Sequence, residues 1–165
     1  MKNVIWLLMI TMYMLYACGG NTQNTEESTM ETDLPESIQE GRGIGEYDSV
    51  ELSDPLDEAM IAAGKQIFEK QCRDCHKLDN SELLGPGFQD ITNKRRPEWI
   101  MNMMTNTKLM LELDPTAREL LKLADRRAMP HQHLDGEGAR AMLEFLRSND
   151  LALSGRKDGA VSTME

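Results

Sequence analysis

The chain has 165 residues, with 18 Lys and Arg against 28 Asp and Glu, for a formal net charge of -10. That length suits one domain of about 100–150 residues plus further segments, and the acidic balance argues against non-specific nucleic-acid binding, which needs a basic footprint. Apolar residues at 40% argue against disorder of the whole chain, while aromatics at 5% make a purely hydrocarbon core thin.

The first segment, residues 1–17, is Met-Lys-Asn followed by a nearly unbroken apolar run from Val4 to Ala17. Lys2 and that run have the order of a secretory signal. At ~1.5 Å per residue the run spans about 21 Å, short of the roughly 30 Å hydrocarbon core, so a transmembrane helix is the weaker reading. It ends Leu15-Tyr16-Ala17-Cys18-Gly19, which resembles the lipobox of bacterial lipoproteins, with Tyr16 as a departure from the small residue usual there. The resemblance implies that Cys18 becomes the first mature residue and carries diacylglycerol and a third acyl chain. Two or more chains anchor stably. The address is then a periplasm-facing membrane of a bacterial cell envelope; an ordinary signal peptide with a stray Cys is the alternative.

Residues 18–53 are expected to form a disordered acidic tether. From Gly19 to Ser53 there are nine acids and one base, Arg42, without apolar periodicity. Such a stretch buries too little surface to offset its conformational entropy, and its like charges keep it extended. From Asp54 onward the balance is 19 acids to 16 bases.

Residues 54–153 read as a small all-α domain of about four helices, and residues 154–165 as a flexible tail. Asp54-Pro55 pairs a capping side chain with proline at the first helical position, and Leu56, Met60, Ala63, Ile67 and Phe68 follow at helical spacing. Arg96-Pro97-Glu98 and Asp114-Pro115 start two more helices. The last is expected from near Asp135 to about Ser148, with Ala139, Met142, Leu143, Phe145 and Leu146 on its apolar face.

The centre is named by Cys72-Arg73-Asp74-Cys75-His76. Two thiols at this spacing reach adjacent vinyl groups of one porphyrin edge, and the next residue brings an imidazole to the iron: the pattern of c-type haem attachment. A redox disulfide would leave His76 and the helical context unexplained. A zinc site would need a second ligand pair, and Cys18 is the only other cysteine.

On these residues the region from Leu56 to Leu151 resembles a class I c-type cytochrome carrying one haem. Gly64, Phe68 and the Cys72–His76 motif look like that family's first helix, and Met142, Phe145 and Leu146 like its last. Gly64, lacking a Cβ, would let the two cross closely. Leu84-Gly85-Pro86-Gly87-Phe88 resembles the loop whose proline carbonyl accepts the hydrogen bond from the haem-ligating imidazole, here Pro86 and His76; an ordinary turn is the alternative. The resemblance implies Met129, in Met129-Pro130, as the sixth iron ligand, with haem c held by Cys72 and Cys75 and the iron by His76 and Met129. Met101, Met103, Met104 and Met110 are rival thioethers, and His131 and His133 would give a bis-His haem. Trp99 resembles a ring whose indole N–H donates to the haem propionates, with plain packing as the alternative. Lys94-Arg95-Arg96 and Arg126-Arg127 are basic clusters that could balance propionates, dock a partner or stay solvated.

An iron with both axial positions filled by protein suits outer-sphere electron transfer between redox proteins. The expected function is therefore a membrane-tethered electron carrier rather than an enzyme. The run from Pro97 to Leu134 further resembles small lipoprotein cytochromes associated with nitrous-oxide respiration, implying a nitrous-oxide reductase as acceptor. The alternatives are a haem sensor or peroxidatic enzyme with a labile sixth ligand, and a haem subunit fixed in a larger complex.

Overall fold

The computed structural model describes residues 34–162, which contain helices and no strands. The signal segment, Cys18 and the front of the tether lie outside the described residues. In chain order the elements are α1 (Glu36–Gln39), α2 (Glu58–Ile67), a π-helical turn over Phe68–Cys72, α3 (Ile91–Lys94), α4 (Pro97–Thr105), α5 (Thr107–Leu113), α6 (Pro115–Leu123), α7 (Gly136–Ser154) and α8 (Gly159–Ser162). Among the described residues no helix is long and apolar enough to cross a membrane.

Local signals set three of the helix starts where expected. Pro97 and Pro115 open α4 and α6, and Asp114 accepts the Ala117 N–H at 2.7 Å. Asp135 caps α7 by accepting the Gly138 N–H at 2.8 Å. The first start is displaced: α2 begins at Glu58, capped by Asp57, whose Oδ1 accepts the Ala59 and Met60 N–H groups at 2.8 and 3.0 Å. Asp54 and Asp57 carry the same capping chemistry, and a tertiary contact chooses between them. The Asp57 N–H donates to Glu144 Oε1 of α7 at 2.9 Å, seating this residue against the helix it packs on.

The crossing of α2 and α7 is the frame of the fold. A Cβ on Gly64 would lie 2.7 Å from both the Ala141 carbonyl carbon and Phe145 Cβ, so the helices meet backbone to backbone there. Around it, Met142, Leu143 and Leu146 are essentially fully buried, each such side chain contributing about 1.5–3 kcal/mol. Phe68 packs on Phe145 with ring centroids 5.7 Å apart and edge-on to Phe88 at 6.3 Å.

α7 runs past Ser148 because charged residues that look like a surface end are bonded inside. Asp150 is fully buried and accepts from the Asp90 N–H, the Thr92 N–H and the Thr92 hydroxyl at 2.7–2.8 Å, holding α3. Glu144 and Arg147 are buried as a pair at 2.8 Å. Burial raises the Glu144 pKa, but the Asp57 N–H and the two arginines outweigh it and hold the carboxyl below its ordinary value.

Two segments expected to be disordered are packed. Within the tether, the compact unit begins at Pro35 rather than at residue 54. Ile44, Tyr47, Val50 and Leu52 pack against the core, and Arg42 draws in Glu40 at 2.7 Å and Asp48 at 3.5 Å. Composition misses this because backbone groups, not an apolar stripe, make the key bonds. Beyond α7, Asp158 forms a two-pronged pair with Arg147 at 2.8 and 2.7 Å, and the Gly159 N–H donates to Asn93 Oδ1 at 3.0 Å. A buried arginine that needs a counter-charge thus folds the tail back.

Candidate functional site

The π-helical turn places the cysteine–histidine motif. As α2 widens, the Cys72 carbonyl accepts from both the Cys75 and His76 N–H groups, at 3.0 and 2.8 Å, and curls the motif onto itself. Cys72, Cys75 and His76 consequently line one cavity of about 450 Å³, within the usual range for ligand sites. Neither cysteine is in a disulfide, so both thiols are available for thioether bonds, and burial pushes the Cys72 thiol up to about 11.

The loop after the motif fixes the imidazole. Leu84 and Gly85 donate their N–H groups to the Cys75 carbonyl at 3.2 and 2.9 Å. That brings the Pro86 carbonyl 2.8 Å from His76 Nδ1. Phe88 stacks on the imidazole, centroids 4.5 Å apart and planes 13° from parallel. A Cβ on Gly85 would come 2.5 Å from His76 Cε1, so glycine is required for this approach. Burial lowers the His76 pKa against the raising effect of the Pro86 bond. A neutral ring donating through Nδ1 keeps the Nε2 lone pair for a metal.

Met129 lines the same cavity, as do Met103, Met104 and Met142 from helices. Met110 does not: it is fully buried, and its sulfur accepts the Ile44 N–H at 3.2 Å. His131 and His133 are exposed, outside the lining and in ring contact with each other at 4.4 Å. The Trp99 ring lines the cavity, and its indole N–H donates to buried Asp114 at 3.2 Å, the arrangement of the packing alternative. Among the basic residues, Lys94, Arg95 and Arg127 line the cavity, and Arg95 lies over the Trp99 ring at 5.5 Å. Arg96 instead pairs with buried Glu98 at 3.2 Å.

Phe88 as the imidazole's stacking partner and Asp114 as the indole's acceptor are absent from the sequence-based site. The sequence signal for Asp114 is its capping position before Pro115, which does not by itself bring it to Trp99.

These residues fit a haem: two free thiols and a fixed neutral imidazole in one largely apolar cavity, with guanidinium and ammonium groups in its lining for the two carboxylates. The helical architecture and this donor set define a class I c-type cytochrome. A family model described as cytochrome c matches residues 61–150, and the chain belongs to the cytochrome c family. Among solved structures it is similar to a cytochrome c from Rhodothermus marinus, with 33% identity over 72% of this chain and 98% of that one and a TM-score of 0.65. An engineered form of that cytochrome, Rma TDE, matches at 32% identity, covering 69% of this chain and 96% of that one, with a TM-score of 0.63. The same engineered protein bound to a carbene intermediate matches at 32% with a TM-score of 0.60, with the same coverage. A search of curated proteins found no match. Family membership brings a covalently bound haem c and single-electron exchange with redox partners.

Proposed function

We propose that His76 and Met129 are the axial ligands of this haem, and that the protein is a lipoprotein carrier passing electrons between respiratory partners at a periplasm-facing membrane, toward a nitrous-oxide reductase. The observation that carries the ligand assignment is that, of the methionines lining the cavity with Cys72, Cys75 and His76, Met129 alone stands in a loop, while Met103, Met104 and Met142 are on helices. The bound haem supplies a one-electron iron couple, and Met/His ligation raises its potential. The chain's own residues do the rest. Pro86 and Phe88 hold the imidazole, Ile100 and Leu146 help exclude water, and Met129 stands in a loop where its flexible thioether can adjust. The helix-borne methionines of the cavity serve as packing. Leu83 and Leu84 are 46% and 47% exposed beside the motif, a small apolar patch suited to brief docking.

Met129→Ala tests the ligand. The weak sulfur-to-iron charge-transfer band of the oxidised protein is expected to vanish, the potential to fall and the ferrous iron to bind carbon monoxide. Met103→Ala, Met104→Ala and Met110→Ala should keep the band, and Met110→Ala should cost about 2–5 kcal/mol of stability as a buried truncation. Persistence of the band in Met129→Ala would reassign the ligand. A wild-type protein that lacks it and binds carbon monoxide readily would favour the sensor or peroxidatic alternative.

The membrane address rests on the lipobox resemblance around Cys18, and the acceptor on the resemblance of Pro97 to Leu134. Cys18→Ser is expected to move the protein from the membrane to the soluble fraction of fractionated cells with an unchanged haem spectrum. Membrane retention of the variant would remove the lipid anchor.

A further inference from the structure

The loop that carries Met129 makes few bonds of its own. Among the described residues, the hydrogen bonds of residues 128–134 stay inside that stretch: Gln132 Nε2 donates to the Pro130 carbonyl at 2.7 Å, and the His133 N–H donates to His131 Nδ1 at 3.0 Å. Apart from Leu134, which packs against the core, the loop is aimed by what holds its ends, α6 before it and the start of α7 after it.

The start of α7 is met by the segment ahead of α2. Asn102, on α4 and 1% exposed, clamps that segment with three bonds. Its Nδ2 donates to the Arg42 and Tyr47 carbonyls at 3.1 and 3.0 Å, and its Oδ1 accepts the Tyr47 N–H at 3.1 Å. Gly43, at φ +72, lets the chain settle on Met110. So fixed, Tyr47 reaches across to α7, its hydroxyl 2.8 Å from where a Cβ on Gly136 would stand. Gly136 is the first residue of α7 and follows its cap, Asp135. Burial first, then Glu46 and Asp135, push the Tyr47 pKa up, consistent with a hydroxyl set among carboxylates at this cap. The Glu51 carbonyl accepts from Arg140 Nε of α7 at 3.2 Å, a second stitch one turn on.

We infer that Tyr47, held by Asn102, is a positioning residue for the sixth ligand: it braces the start of α7 and thereby the return of the Met129 loop. The inference rests on Met129 as that ligand. Functional side chains are aimed by groups whose own positions are locked, and Asn102 supplies the lock. The segment between the membrane address and the haem domain then sets how firmly the iron's sixth position stays closed.

The test compares Tyr47→Ala, Tyr47→Phe and Asn102→Ala holoproteins with wild type and Met129→Ala. Tyr47→Ala is expected to weaken the charge-transfer band and to raise the rate of carbon monoxide binding to the ferrous protein roughly tenfold, since that rate follows the fraction of time the position is open. Tyr47→Phe keeps the ring but removes the hydroxyl that meets Gly136, and should shift both readouts in the same direction by less. Should Asn102→Ala give no holoprotein, the Tyr47 pair carries the test. Asp158→Ala, which frees the tail from Arg147, is the control for general loosening; it should lower the melting temperature and leave both readouts alone. Wild-type behaviour of Tyr47→Ala beside a bandless Met129→Ala would overturn the inference and leave the ligand assignment standing. Equal effects in Asp158→Ala would overturn it too, by making the change one of stability. A band that survives Met129→Ala would instead remove the ligand assignment beneath it.

Discussion

Replacing Cys72 and Cys75 together by alanine is expected to leave a chain without covalent haem and with little fixed tertiary structure. The cavity these residues line measures about 450 Å³. At roughly 24 cal/mol per Å³ of unfilled apolar space, a void of that size would cost about 11 kcal/mol. Water entering an open cleft makes this an upper bound, yet it is comparable to the ~5–15 kcal/mol that stabilises a whole domain. With aromatics at 5% of the chain, no spare side chains stand ready to fill the space. The haem is thus part of the core as well as the redox centre. A denaturing gel stained for haem and a circular-dichroism melt read the result. Full haem staining of the double variant would remove the covalent link, and a sharp helical melt of the haem-free chain would remove the claim that the core is incomplete.

Gly64→Val is expected to cost at least about 3 kcal/mol and to cut the yield of haem-loaded protein, because the obstruction is backbone. The Ala141 carbonyl and Phe145 Cβ stand where the new side chain must go, and overpacking against groups that cannot rotate away forces the helices apart. The α2–α7 crossing also sets where the π-helical turn begins, so displacement moves Cys72 and His76 with it. Denaturant unfolding measures the loss. A midpoint within a few tenths molar of wild type would mean that the crossing has slack. Gly64→Ala should fall in between, its single methyl meeting the same carbonyl.

The wild-type residues behind these two predictions are visible in the sequence for different reasons. Cys72, Cys75 and His76 are legible because haem attachment demands a fixed spacing that little else explains. Gly64 is legible only through resemblance, since a lone glycine in a helical pattern has several readings. Between these extremes stand the starts of α4, α6 and α7, decided locally by Pro97 at the first, by Asp114 with Pro115 at the second and by Asp135 at the third.

By itself, then, the sequence determined the helical class, the haem motif and three helix starts, because each depends on residues within a few positions of one another. Tertiary structure alone decided which aspartate begins α2, since Glu144 lies far along the chain from Asp57. It alone decided that Asp150, Glu144 and Arg147 are interior residues, because a buried charge is tolerable only where partners from other segments meet it. It turned the Trp99 indole toward Asp114. It also folded residues 35–53 onto the domain: Asn102 recognises backbone carbonyls and an N–H there, and those groups are the same in every sequence.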